Sequence, residues 1–108
     1  MHELSIATAI VEACVERAGS DRILRIRVEV GHLAAVLPDS LRFCFELCAK
    51  GTTAEGAILE ILEIPGRAVC EACGESILLS SPFGRCACGG KLEIVAGQEL
   101  KMRDMEIA

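Results

Sequence analysis

Along residues 4 to 18 the apolar side chains return every three or four positions. Leu4, Ala7, Val11, Cys14 and Ala18 form one stripe, Ile10 and Val15 widen it, and Gly19 suits a C-terminal stop. That spacing predicts an amphipathic helix. "RILRIRVEV" then alternates, with Leu24, Ile26, Val28 and Val30 on one face and Arg25, Arg27 and Glu29 on the other. Alternation of this kind predicts a half-exposed strand. "GHLAAVLP" reads as a connection, and Pro38 fits the first turn of a second helix. Leu41, Cys44, Phe45 and Cys48 share one face of it, and "KGTT" ends it. "AILEILEI" is a second strand with Leu59 and Ile61 inward, although Leu62 blurs its alternation. "PG" at 65–66 closes it.

The pattern breaks from Arg67 to about Lys91, where four cysteines and several glycines surround "SILLSSPFG". The tail "LEIVAGQELKMRDMEIA" reads as strand again. Leu100 and Met102 are in phase, Met105 and Ile107 are in the opposite phase, and a bulge near Arg103–Asp104 would reconcile them. The expected fold is therefore α+β, with two helices on one face of a small three-stranded sheet. A zinc-ribbon-like subdomain is inserted between the second and last strands. The expected boundaries are 1–66 and 92–108 for the α+β domain and 67–91 for the insert.

Composition narrows the picture. The chain has 108 residues, no Trp, no Tyr and three Phe, so aliphatic side chains must make the core. A net charge of -5 argues against a phosphate-binding footprint. No apolar run is long enough to cross a bilayer, and the amino end lacks the basic region of a signal peptide. The expected location is the cytoplasm. In a reducing compartment seven cysteines are a poor disulfide framework, and metal binding is the first question to ask of them.

Cys70-x-x-Cys73 and Cys86-x-Cys88 are separated by twelve residues, and each pair is followed by Gly. Four thiolates from two tight turns make a tetrahedral Zn(II) site. With all positions filled by sulfur there is no place for a reacting water, so the metal reads as architectural. The second pair departs from the usual C-x-x-C, and one residue fewer tightens its chelate loop at Cys86. Cys14, Cys44 and Cys48 lie on apolar helix faces and read as core.

The chain opens "MHE", with one of only two histidines next to the α-amino group. The Met1 nitrogen, the His2 amide and the His2 imidazole can close fused five- and six-membered rings around one ion. The Glu3 amide or carboxylate could fill a fourth position. Such a nitrogen-rich set suits Ni(II) or Cu(II). It needs a free residue 1, and a bulky His2 favours retention of the initiator Met. A bland alternative stands beside this: Glu3 is also an ordinary first-turn acid opposing the helix dipole. His32, after Gly31, reads as a loop or strand-end residue.

"MHE", "VEVGHLAAVLPDSLRFCFE", "KGTTAEGAILEI", "CEACG" and "AGQELKMRDMEI" together resemble the HypA/HybF family of hydrogenase nickel-incorporation proteins. The resemblance runs nearly end to end, in order and at similar spacing. It implies a nickel metallochaperone, with His2, Met1 and Glu3 at the nickel site and Cys70, Cys73, Cys86 and Cys88 on structural zinc. Asp39, entering the second helix, is a further nickel-site carboxylate on this reading. The implied partners are a HypB-type GTPase and the large subunit of [NiFe]-hydrogenase, with urease maturation added in some members. No enzymatic activity is implied, and "HExxH", triad-like sets and phosphate loops are all missing from the sequence.

The rival is a zinc-ribbon module that binds protein or nucleic acid. Across residues 67–91, Arg67, Arg85 and Lys91 face Glu71 and Glu75, and Phe83 is the sole aromatic. That is thin support for base stacking or phosphate contacts.

Overall fold

The computed structural model describes residues 2–108, apart from the His2 side chain. Its elements are α1 (His2–Ala18), β1 (Ile23–Gly31), α2 (Pro38–Ala49), β2 (Ile58–Ile64), β3 (Gly66–Cys70), β4 (Ser76–Leu79), β5 (Leu92–Ala96) and β6 (Leu100–Ile107). The strands form two three-stranded sheets, ordered β2-β1-β6 and β4-β3-β5. The architecture is the mixed α+β one expected, with two helices, but the cysteine segment carries a sheet of its own.

Two compact units result. The first comprises Met1–Val28, Val36–Leu62 and Lys101–Ala108; the second comprises Glu29–Ala35 and Glu63–Leu100. In the first, α1 packs on α2. Ala7, Val11, Cys14 and Ala18 are buried along α1, and Leu41, Cys44, Phe45 and Ala49 along α2. Leu4, at the exposed start of the stripe, is only partly covered. Cys48 is half-buried, so of the three helical cysteines only Cys14 and Cys44 are core residues. The Cys14 thiol donates to the Met102 thioether on β6 at 3.0 Å, and burial pushes its pKa up. It behaves as a small hydrophobe with one weak polar contact.

Helix ends follow local chemistry. Gly19, at φ +64°, adopts the left-handed conformation that ends α1, and its N–H donates to Val15 O. At α2, Pro38 occupies the first turn while Leu37, the N-cap, has no capping side chain of its own. A carboxylate from another helix serves that end: Glu3 Oε2 accepts the Leu37 N–H at 3.2 Å.

Strand β1 departs from strict alternation. Ile26, Val28 and Val30 are buried as expected, but Leu24 is exposed and Ile23 is buried in its place. Ile23 N–H donates to Thr53 O, which binds the start of the strand to the loop before β2. On β2, Leu59 is buried and Ile61 half-buried. The polar face of β1 is ion-paired: Arg25 Nη1 lies 3.0 Å from Glu60 Oε1, and Arg27 pairs with Asp104 through two hydrogen bonds.

The expected single tail strand is two strands in different sheets. β5 pairs antiparallel with β3, while β6 joins β1. "GQE" separates them, and Gly97 turns at φ +106° with its N–H donating to Glu99 Oε1 at 2.7 Å. Pairing of β3 with β4 aligns Ala68 with Ile77, and pairing with β5 aligns it with Ile94.

Three glycines meet at the base of this sheet. A Cβ on Gly31 would stand 1.9 Å from Gly97 O, and one on Gly97 would stand 2.5 Å from Gly66 Cα. Gly31 N–H donates to Glu99 O and Leu33 N–H to Gly97 O, each at 2.7 Å. Backbone here lies directly on backbone, which only glycine allows. Among the described residues no helix is long and apolar enough to cross a membrane.

Candidate metal centre

The end of β3 delivers Cys70, and a tight turn delivers Cys73. Gly74, at φ +76°, donates its N–H to Cys70 O at 2.9 Å and closes that turn. The second turn repeats the device: Gly89, at φ +86°, donates to Cys86 O at 2.9 Å. The two turns face one another, and Glu71 N–H to Lys91 O, at 2.9 Å, ties them together.

The four sulfur atoms all lie within 4.8 Å of one another. Cys70 Sγ is 3.5 Å from Cys88 Sγ, and Cys73 Sγ is 3.6 Å from Cys86 Sγ. A tetrahedron with arms of about 2.3 Å has edges of about 3.8 Å, so the set fits a Zn–S4 site. The short Cys86-x-Cys88 spacing closes this cluster along with the longer pair. Cys70 and Cys86 are buried, whereas Cys73 and Cys88 are exposed.

Backbone amides supply the compensation that a tetrathiolate needs. Cys73 N–H points at Cys70 Sγ (3.5 Å) and Gly90 N–H at Cys88 Sγ (3.4 Å). Gly74 and Gly89 therefore shape the turns, and the amide aimed at Cys88 belongs to Gly90. A Cβ at Gly90 would stand 2.6 Å from Cys70 Sγ and 2.8 Å from Ala72 Cβ. The doublet "GG" after the second pair was the available signal for this close approach.

Proton affinities follow the same contacts. The Cys73 amide, working against desolvation and helped by the Ala72 amide, draws the Cys70 thiol down to about 6. The other three each receive an amide that favours the thiolate, from Glu75 at Cys73, Cys88 at Cys86 and Gly90 at Cys88. Neighbouring thiols and burial nonetheless leave all three raised. Four sulfurs this close ionise in succession, and a cation is what lets all of them become thiolates.

At the other expected site, Met1 and the His2 side chain lie outside the described residues. Glu3 and Asp39 are described, and the structure brings them together. They line one shallow cavity of about 390 Å³ with Ser40, Phe43 and Cys44. Asp39 is fully exposed, 3.8 Å from Arg42 Nη1, while Glu3 is engaged with the Leu37 amide. Sequence reasoning missed that engagement and the place of Cys44 on the cavity wall. A Leu-Pro helix start, with no side-chain cap, was the hint that an acceptor must come from elsewhere. His32 Nε2 pairs with Glu63 Oε1 at 3.3 Å and is not part of the cysteine cluster.

Two helices, two small sheets and a sulfur cluster of this geometry define a small α+β metal-binding protein. Comparison with known proteins makes the class specific. Residues 1–107 match the family described as "Hydrogenase/urease nickel incorporation, metallochaperone, hypA". A hydrogenase maturation factor HypA of Nostoc sp. (strain PCC 7120) is 48% identical, over 99% of this chain and 96% of that one. The proteins of that name from Rippkaea orientalis and Geobacter metallireducens are 50% and 41% identical, over 99% of this chain and 96% and 99% of their own. The chain belongs to the HypA family.

Two solved structures share its fold. A solution structure of a HypA protein superposes with a TM-score of 0.72 at 22% identity, covering 100% of this chain and 97% of that one. The solution structure of the Ni metallochaperone HypA from Helicobacter pylori gives 0.68 at 20% identity, covering 97% and 96%.

Proposed function

We propose that this chain is a nickel carrier for [NiFe]-hydrogenase maturation, taking Ni(II) as cargo at its amino end and keeping Zn(II) as a resident structural ion. The reading is carried by the family match, which begins at residue 1 and so includes Met1, His2 and Glu3. Shared walls of one cavity for Glu3 and Asp39 support it further. Met1 amine, His2 amide and His2 imidazole are donors that suit Ni(II), and Glu3 completes the set. With its carboxylate on the Leu37 amide, Glu3 contributes most simply through its backbone nitrogen, and its side chain holds the amino end against α2.

Cys70, Cys73, Cys86 and Cys88 hold the zinc. A closed sulfur shell retains its metal, while a nickel site made by a chain terminus can exchange ligands one at a time with a recipient. The second unit thus acts as a fixed scaffold and the first as the carrier. Partners in this role are a HypB-type GTPase and the [NiFe]-hydrogenase large subunit, with urease as a further client. Transfer by ligand exchange needs no catalytic group.

Calorimetric titration of Ni(II) into wild type, His2→Ala and a chain lengthened by one residue before Met1 tests the reading. His2→Ala loses tight binding, and the lengthened chain binds more weakly with an altered visible spectrum, while zinc content stays constant in all three. Equal nickel affinity across the three proteins refutes the amino-terminal site.

A further inference from the structure

Strand β6 is an edge. In the order β2-β1-β6 it pairs with β1 alone, so among the described residues its outer N–H and C=O groups meet no further strand. Ala108 N–H donates to Arg22 O at 3.0 Å and anchors its far end. The strand also changes phase along its length. Met102 touches Cys14 on the helix side of the sheet, while Asp104 pairs with Arg27 on the other side. Residues two apart on a regular strand share a face, so β6 is irregular between these two, and Arg103 stands at the irregularity.

A cavity of about 530 Å³ lies there, lined by β6 and by Arg17 from the last turn of α1. Met102, Met105 and Ile107 supply its apolar wall, and Arg17 and Arg103 its positive charge. Asp104, the one carboxylate on the wall, is already held by Arg27 through two hydrogen bonds. Neither Arg17 nor Arg103 has an ion-pair partner among the described residues. In a protein of net charge -5, two unpaired guanidinium groups over adaptable thioethers suit an apolar ligand that brings its own carboxylates. The free edge beside them sets the ligand's form, which is extended backbone. A second β6 edge matches poorly, because it brings a like-charged Arg103 to the same groove.

We propose that the β6 edge and the adjoining cavity bind an extended acidic segment of a partner protein, which joins the sheet as a fourth strand. Its carboxylates meet Arg17 and Arg103, and an apolar side chain between them packs on Met102 and Met105. Backbone pairing supplies affinity, and the two arginines select the sequence. The site stands at the far end of α1 from the amino terminus. At about 1.5 Å of rise per residue, Glu3 and Arg17 are about 21 Å apart along the helix. Binding here is therefore independent of the metal that the amino end carries.

Fluorescence anisotropy tests this with the full-length, zinc-loaded protein and a labelled decapeptide that alternates glutamate with valine. Wild type binds it saturably, and less tightly as salt rises. Arg17→Glu and Arg103→Glu, both at exposed positions, each weaken binding by about tenfold with zinc content unchanged. The doubly substituted protein takes instead the peptide with lysine in place of glutamate. Methylating every backbone nitrogen of the acidic peptide removes binding while keeping its charge, which separates strand addition from simple ion exchange. Absence of saturable binding, affinity indifferent to the two arginines, or equal binding of the methylated peptide overturns the proposal. So does concentration-dependent protection of the β6 amides in the peptide-free protein, which makes a second copy the occupant.

Discussion

In the first unit the fully buried side chains are Phe45, Ile23, Ile26, Leu41 and Val28, with Cys14 among them as one more apolar group. In the second, which is the shorter of the two, full burial is confined to Ala68, Cys70 and Val30, followed by Cys86. Its larger aliphatics, Leu78 and Val95, face solvent. One unit is held by area removed from water; the other has too little such area and relies on what its sulfurs grip. The difference explains why helices occur only in the first. A helix needs a partner face to bury its stripe against, whereas short strands and tight glycine turns can be fixed by a few bonds to a metal.

Withdrawal of the zinc should separate the units most sharply. Chelation at neutral pH is expected to erase amide protection across β3, β4 and β5 while leaving α1 and α2 protected, read by hydrogen exchange. The reason is that the binding free energy of a structural zinc is folding free energy for the segment holding it. Loss of protection in both units together would show that they share one stabilising core.

Phe45→Ala is the opposite probe. It removes the largest fully buried ring of the first unit, and a cost of about 3–5 kcal/mol follows from the lost burial and the cavity left behind. Denaturant melts of α1 and α2 should shift by that amount, with zinc stoichiometry unchanged.

The smallest effect is expected on the open face of β1. The hydrogen bond from Arg27 holds the Asp104 carboxyl below its ordinary range and raises the guanidinium in turn. A depressed folded value means that the pair's contribution is present above the unfolded carboxyl pKa of about 3.9 and disappears as pH falls through the lowered one. Urea midpoints of wild type and Asp104→Asn should differ slightly at neutral pH and converge in acid. Because both groups are exposed, salt should shrink the difference further.

Much of this division can be read in the sequence, because it lies in periodicity and in paired cysteines. The 3.6-residue stripe of Ala7, Val11, Cys14 and Ala18 has one solution, as does two-by-two spacing of four thiols. Reading fails where tertiary contact chooses between equal local options. Leu24 and Ile23 are equally apolar, and it is the bond from Ile23 to Thr53 that decides which turns inward. "LEIVAGQELKMRDMEIA" is strand-forming throughout, so no local preference announces that Leu92–Ala96 pairs with β3 and the rest with β1. Gly97 marks the change, but a glycine also fits a bulge. The proposed amino-terminal site rests on chemistry and resemblance, and the structure shows only that Glu3 and Asp39 line one cavity.

At the meeting of Gly31, Gly66 and Gly97, main chain rests on main chain, and the Leu33 side chain packs against the last two. At Gly31 the facing atoms are all backbone of Gly97 and Gln98, so repacking of side chains cannot relieve a Cβ there. Substitution at Gly31 is expected to resist second-site rescue by its neighbours, so only reversion should recover the fold. A graft of the cysteine-bearing sheet onto another scaffold would have to carry all three glycines with it.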